Sequence, residues 1–342
     1  MSATILVTGG LGYIGSHTTV ELIEQGYTVI IADDLSNSEF FILDRIEAIT
    51  GTKPLFYQVD LRKSEEVNKI FSENKVDVII HFAAYKSVGE SVKEPLKYFQ
   101  NNLDSLLNVL QAMQEYNVKN IVFSSSATVY GEPDQLPITE EMPFKKALSA
   151  YGSTKQMGEE VLEKTSAATG IKNISLRYFN PVGAHDSGLI GELPKGIPNN
   201  LFPFVTQTAI GKIKQLTVYG DDYDTPDGSC LRDYIHVVDL AKAHVQACAR
   251  LIDNTSTENF EVFNIGTGKG TSVLEMIHSF ESITGVKLNY VIGPRRVGDA
   301  PAVYASTSKA NNLLNWKAAL QLEDMIKSSW KWQQLISSKE TV

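Results

Sequence analysis

The sequence predicts an α/β fold: a doubly wound parallel sheet in the first half and a smaller mixed α/β unit after it. Three observations predict it. Through residue 178, apolar runs of strand length alternate with amphipathic runs of helical length, the pattern of a parallel sheet covered on both faces. A turn with glycines at positions 9, 12 and 15 separates the first strand from the first helix. Beyond residue 180, Pro181, Gly183, Gly188, Gly191, Pro194, Gly196 and Pro198 crowd a short span, and shorter, more mixed elements follow. This divides the chain into residues 1–180, with a later segment near 232–250 packing back onto them, and residues 181–342, the substrate unit.

The elements follow in order. Ile5 to Val7 is the centre of a buried strand, 4–8, and a helix over 16–25 buries Val20, Leu22 and Ile23. Strand, glycine turn and helix are the context of a Rossmann-type dinucleotide site. One glycine makes the tight turn, one lets backbone approach a pyrophosphate, and one lets helix and strand pack closely. The helix N-terminus offers free N–H groups to the phosphates. The second strand, 28–33, ends in Asp33 and Asp34; Asp33 lies 18 residues past Gly15, where a carboxylate meets ribose hydroxyls and repels a 2′-phosphate. The expected cofactor is therefore NAD rather than NADP. Strands follow at 55–59, 77–83, 120–125 and 173–178, with helices at 39–49, 63–73, 94–117 and 150–169. Leu103, Leu106, Leu107, Leu110 and Met113 give helix 94–117 a core face, and its other face is a candidate subunit interface. In the second half, strands are expected at 233–237 and 260–265 and helices at 238–249 and 273–283. The glycines at 266, 268 and 270 lack phosphate-loop spacing and read as a turn, with Thr271 or Ser272 as a helix cap.

Ligands of such a sheet bind at the carboxyl ends of its strands. Those ends carry Asp60-Leu61, Phe82-Ala83-Ala84-Tyr85-Lys86 and Ser124-Ser125-Ser126-Ala127-Thr128. The helix beginning near 150 carries Tyr151 and Lys155, four apart and hence on one face. A nearby ammonium and an oxidised nicotinamide ring both favour phenolate; bringing a phenol from ~10 to neutrality needs about 4 kcal/mol. With the hydroxyl of Ser126 at a strand end upstream, these groups suit hydride transfer at an alcohol or ketone.

Tyr151-x-x-x-Lys155, the upstream serine and the glycine turn resemble the extended short-chain dehydrogenase/reductase family. Longer runs, Gly9 to His17, Ser124 to Gly131, Arg177 to His185, Gly196 to Leu201 and Arg232 to Val237, are similar to its epimerases of UDP-hexoses. The likeness runs from residue 4 to about Trp332. It implies tightly held NAD, regenerated in each turnover, and interconversion of UDP-galactose and UDP-glucose at C4 through a 4-keto sugar. Tyr151 takes the proton of the 4-hydroxyl, Ser126 shares a hydrogen bond with that oxygen, and Lys155 binds the cofactor ribose and tunes Tyr151. With Gly9, Gly12, Gly15, Ser126, Tyr151 and Lys155, the cofactor residues implied are Tyr13, Ile14, Asp33, Asn37, Ser38, Asp60, Leu61, Phe82, Lys86, Asn101 and Phe179. With Ser126 and Tyr151, the substrate residues are Asn180, Asn200, Leu201, Tyr219, Arg232, Arg296 and Asp299. Arginines suit a diphosphate; Arg295 reads as surface charge. Family members restricted to glucose and galactose forms often carry tyrosine where Val303 stands. The smaller residue predicts a larger sugar pocket and acceptance of N-acetylhexosamine forms.

Two rivals share the scaffold. A nucleotide-sugar 4,6-dehydratase typically shows Asp-Glu after the Ser126 position, where Ala127 and Thr128 stand. A non-catalytic NAD-sensing protein usually loses the tyrosine or lysine, and both are present. The totals fit a globular enzyme: 342 residues, 43% hydrophobic, 21% charged. A net charge of −9 argues against nucleic acid and anionic membrane surfaces. No apolar run reaches the ~18 residues of a membrane helix. The first strand begins at once, leaving no room for a signal peptide. The two cysteines make no disulfide framework, pointing to a cytoplasmic protein. No histidine has metal-ligand spacing, so no metal is expected; His17 and His81 read as packing or cap residues. Relatives are commonly homodimers, the expectation here.

Overall fold

The computed structural model describes residues 2–339 save 197, 199, 297 and 298. Its central sheet contains β1 (Thr4–Thr8), β2 (Thr28–Asp33), β3 (Leu55–Gln58), β4 (Val78–His81), β5 (Asn120–Ser126), β6 (Lys172–Tyr178) and, from far along the chain, β11 (Phe260–Ile265). The order is β3-β2-β1-β4-β5-β6-β11, all parallel, with Val7 of β1 paired to Ile31 and to Ile80. Strand alternation sends Ile5, Val7, Ile31, Ile80 and Val122 to one face and Leu6, Ile30, Ile79, Ile121 and Phe123 to the other, so each face has its own core. The first is covered by α1 (Tyr13–Glu24), α2 (Phe41–Thr50) and α8 (Val237–Ile252). The second lies under α3 (Ser64–Glu73), α5 (Pro95–Glu115) and α6 (Ala150–Thr169).

Three differences from the sequence reading have local causes. Helix α1 begins at Tyr13 rather than 16, because the glycine turn runs directly into it with Gly12 as N-cap. Val88–Lys93 forms a separate short helix, α4, capped by the Ser87 hydroxyl, and Pro95 opens α5 after it. Residues 260–265, assigned by sequence to the second unit, are the seventh strand of the first sheet, because the whole of β11 pairs with β6.

The second lobe is built from short pieces. β7 (Asn180–Val182) pairs with β10 (Tyr234–His236), and β8 (Leu216–Tyr219) with β13 (Tyr290–Gly293). β9 (Leu231–Arg232) lies between β12 (Thr271–Ser272) and β14 (Ala302–Val303). Phe202 and Val205 of α7 (Leu201–Ala209), Met276 and Phe280 of α9 (Val273–Thr284), and Met325 and Ile326 of the last helix, Leu322–Lys339, share one core. Ser272 is the N-cap of α9, in a capping box with Glu275.

Asp233 fastens the two lobes where β9 passes into β10. Its fully buried carboxylate accepts from Thr267 N (2.8 Å), Thr267 Oγ1 (2.6 Å), Gly268 N (3.0 Å) and Ala305 N (3.1 Å). The second glycine cluster thus serves as a clasp rather than a ligand loop. Asp233→Ala strands these donors in the interior. At ~1–3 kcal/mol for each donor left unpaired, and with partial relaxation, it should lower unfolding free energy by about 3 kcal/mol. A urea melt losing under ~1 kcal/mol would contradict this.

Candidate active site

One cleft of about 530 Å³ runs along the carboxyl edge of the sheet and between the lobes. It lies within the usual range for ligand sites. Gly9, Gly12 and Gly15 line its floor. A Cβ on Gly15 would lie 2.2 Å from the Gly9 carbonyl oxygen, so only glycine permits this turn. No side chain caps the start of α1, leaving its N-terminus to the cleft. Asp33 closes the turn from β2: it accepts from Leu11 N (3.0 Å), Leu35 N (3.0 Å) and the Ser38 hydroxyl (2.7 Å). Burial raises its carboxyl above the usual range, against the pull of these three donors. Tyr13, Ile14, Asn37, Ser38, Asp60, Leu61, Phe82, Lys86, Asn101 and Phe179 also line the cleft. Asp60 is held low by the Arg62 guanidinium, which donates to it at 2.8 and 2.7 Å. Tyr13 donates to the Gly183 carbonyl (2.6 Å), and Lys86 meets Glu192 at 3.1 Å, both contacts crossing between lobes. A glycine turn no side chain can fill, an uncapped helix start and a carboxylate at the end of β2 fit a dinucleotide.

The reacting end sits where β5 ends. Ser126 is the last residue of the strand and accepts from Thr128 N (3.2 Å), which leaves its own proton to donate into the cleft. Tyr151 and Lys155 come from the first turns of α6, whose N-cap Ser149 accepts from Gly152 N. All three line the cleft and are buried. Burial pushes the Tyr151 phenol up to about 12, against a hydrogen bond with Ser126. It pushes the Lys155 ammonium down to about 7, against the pull of the Glu159 carboxylate. The expected acidification of Tyr151 by Lys155 is therefore not delivered by the chain alone. The Lys155 Nζ donates to the Ser124 carbonyl (2.5 Å) and stands 5.8 Å from the tyrosine ring centroid, while desolvation acts on the phenol directly.

The second lobe supplies the far wall, with Asn180, Asn200, Leu201, Tyr219, Arg232, Arg296 and Asp299 on the cleft. Arg232 is braced by the Ala300 carbonyl (2.9 Å) and Asp299 (3.4 Å), and Arg296 lies over the Tyr219 ring at 4.4 Å. Arg295 pairs instead with Asp222 at the surface (2.6 Å). Val303 requires correction: it does not line the cleft. It packs instead with Val129, Tyr130, Ile138 and Phe179, one layer behind the wall, because the pairing of β14 with β9 fixes which way it faces. Tyr304 is turned towards Gly270, 3.3 Å from where a Cβ there would sit. Ile197 and Asn199 of the quoted Gly196-to-Leu201 run lie outside the described residues.

The sequence reading missed several lining residues. Tyr178, whose hydroxyl bonds that of Ser124, stands beside Phe179 at the end of β6, and the strand-end rule applies to it equally. Thr217 is cleft-facing between buried Leu216 and Val218, an alternation readable in the run from 215 to 219. Among the described residues, no cluster of histidine, cysteine and carboxylate side chains has the makings of a metal site. Burial holds His17 and His81 neutral, each down to about 3. No described helix is long and apolar enough to cross a membrane.

Fold and cleft together define an enzyme built on a dinucleotide-binding sheet, with a tyrosine and a lysine on the helix beside it. The chain belongs to the NAD dependent epimerase/dehydratase family, whose model matches residues 5–266. It is 50% identical over 330 residues to the UDP-glucose 4-epimerase of Bacillus subtilis (strain 168), covering 96% of each chain. Among solved structures, it resembles UDP-glucose 4-epimerase from Bifidobacterium longum in complex with NAD+ and UDP. The TM-score is 0.92 at 50% identity, over 97% of this chain and 98% of that one. It also resembles the UDP-Glc/GlcNAc 4-epimerase from Campylobacter jejuni, with a TM-score of 0.85 at 36% identity over 98% and 100% of the two chains.

Proposed function

We propose that this protein is a UDP-glucose 4-epimerase, interconverting UDP-galactose and UDP-glucose through a 4-keto sugar. The observation that carries the reading is one continuous cleft with the glycine turn at one end, Ser126, Tyr151 and Lys155 at its centre and Arg232 and Arg296 at the other. Bound NAD would supply a reversible hydride acceptor for the sugar. The chain's residues do the rest. The glycine turn and the start of α1 bind the pyrophosphate of the dinucleotide, and Asp33 faces its ribose. Tyr151 takes and returns the proton at the sugar 4-oxygen, Ser126 donates a hydrogen bond to that oxygen, and Lys155 supplies positive charge behind both. Arg232 and Arg296 hold the diphosphate. A keto sugar that turns over between two such ends meets the same proton donor from either face, so a second acid–base pair is unnecessary. The test is product analysis of purified protein given UDP-galactose without added NAD. UDP-glucose is expected; a 4-keto-6-deoxy product, or no conversion, would overturn the reading.

The sugar pocket also accepts N-acetylhexosamine forms in our reading. Val303 packs one layer behind the cleft wall and Tyr304 lies against the Gly270 turn, so neither of these two side chains narrows the cleft. UDP-N-acetylglucosamine should turn over under conditions where UDP-glucose reacts; its inertness would end this part of the proposal. A homodimer fits the exposed apolar side chains Val88, Val92, Leu96, Leu107 and Met157 on α4, α5 and α6, Leu107 standing on the outer face of α5 and not on the core face expected of it. Light scattering at micromolar concentration should give twice the chain mass, and a monomer throughout would contradict it. The two free, buried thiols, Cys230 and Cys248, fit a cytoplasmic location.

A further inference from the structure

Behind the reacting residues lies a buried polar row that the chemistry above does not use. In the parallel register, Ser125 of β5 stands beside Arg177 of β6, and Arg177 beside Asn264 of β11. All three belong to positions facing α6, alternate to Ser124 and Ser126. Helix α6 answers with Glu159, two turns beyond Tyr151 and one beyond Lys155, so the three share a helix face. Glu159 is 2% exposed and Arg177 5%. The pair is bidentate: Arg177 Nε donates to Glu159 Oε1 at 2.9 Å, and Nη2 to Oε2 at 2.5 Å. The Ser125 hydroxyl donates to the same carboxylate. On its other side, Arg177 donates to the Tyr130 hydroxyl (2.9 Å), which donates to Asn264 Oδ1 (2.7 Å). Tyr130 ends the 3-10 turn that Ser126 caps.

The strand and helix ends of this network adjoin reacting groups, while its Asn264 end is anchored on the Ile138 carbonyl. Ser125 is flanked by Ser124, whose carbonyl takes the Lys155 ammonium, and by Ser126. Glu159 itself lines no part of the cleft. A buried ion pair contributes little net stability, since desolvation offsets most of its attraction. What it does supply is a fixed geometry with two arrangements excluded: the helix can neither slide along β5 nor rotate without breaking a desolvated bidentate contact. We infer that Glu159 is a positioning residue for the reaction, its contacts with Arg177 and Ser125 locking the Tyr151–Lys155 face of α6 at a set distance from Ser126. This rests on the proposed function of the same site.

The test replaces the pair together, Glu159→Met with Arg177→Met, so that neither charge is left buried alone. The readouts are kcat and KM for UDP-galactose and the thermal midpoint of the purified full chain. A misplacement of about an ångström at a reacting geometry costs on the order of 10²-fold. The inference predicts kcat lowered by about 10- to 100-fold, with KM within about threefold of the parent and a cooperative melt retained. A folded variant with unchanged kcat overturns it. So does one that loses kcat only in proportion to its folded fraction, because the pair is then merely structural. If the double variant does not fold, Ser125→Ala decides. It removes only the strand-to-helix hydroxyl and should lower kcat several-fold at unchanged KM; unchanged kcat overturns the inference. A parent protein inactive on UDP-galactose would instead refute the proposed function, so the two failures are distinguishable.

Discussion

Tyr151→Phe should abolish nearly all turnover of UDP-galactose while leaving the fold intact. The change removes one hydroxyl and keeps the ring, which is buried between α6 and the end of β5. Positioned proton transfer is worth about 10²–10⁴-fold, and Tyr151 is the titratable group of the site that shares a hydrogen bond with Ser126. The loss should fall in kcat rather than KM, since the diphosphate contacts assigned to Arg232 and Arg296 are untouched. Burial raises the phenol in the cofactor-free chain, so the parent's activity should rise with pH through the lower value the phenol takes beside the bound cofactor. The variant's residual activity should be flat over the same range. If Tyr151→Phe kept most of its kcat, the proton-transfer assignment would be wrong.

Lys155→Met should separate activity from stability. Turnover should drop by about 10²-fold or more as the positive charge beside the phenol and the cofactor ribose is lost. Stability should move the other way at neutral and acid pH. The folded-state ammonium titrates near 7, below its ordinary value of 10.5, because burial disfavours the charge. Between these values the unfolded chain holds a proton that the folded chain does not, so stability rises with pH across that window. The cost to the folded state is fully present below pH about 7 and is lost as pH rises towards 10.5. In Lys155→Met that slope disappears, and the cofactor-free variant should melt later than the parent at pH 6 but not at pH 10. Denaturation at the two pH values checks this. A variant less stable than the parent by the same amount at both would indicate that the bond to the Ser124 carbonyl, not burial of charge, governs this lysine.

How much of this was legible in the sequence depends on how local each feature is. The strand, turn and helix around Gly9, Gly12 and Gly15 are contiguous, and the close approach of Gly15 to the Gly9 carbonyl is built within seven residues. Tyr151 and Lys155 are one helical turn apart, so spacing alone puts them on one face. Residues brought together across the lobes were a different matter. Tyr219, Arg232, Arg296 and Asp299 come from separate short strands and loops, and only resemblance to a family joined them. Val303 was misplaced because a two-residue strand carries no periodicity to say which way a side chain faces. β11 was assigned to the wrong unit because strand order is not written along the chain. The Ser125–Arg177–Asn264 row was invisible for the same reason: it exists only once β5, β6 and β11 are neighbours. Spacing gives the proximity of Lys155 to Tyr151 but not the desolvation acting on both groups, which outweighs that pull in the cofactor-free chain.

The central claim is that the sugar loses and regains its hydrogen at C4 inside one cleft, with only the hydroxyl proton exchanged through Tyr151. The most direct measurement follows UDP-galactose carrying deuterium at C4 through epimerisation in ordinary water, read by proton NMR. The account predicts UDP-glucose that keeps its deuterium at C4. Wash-out of the label to solvent would contradict it.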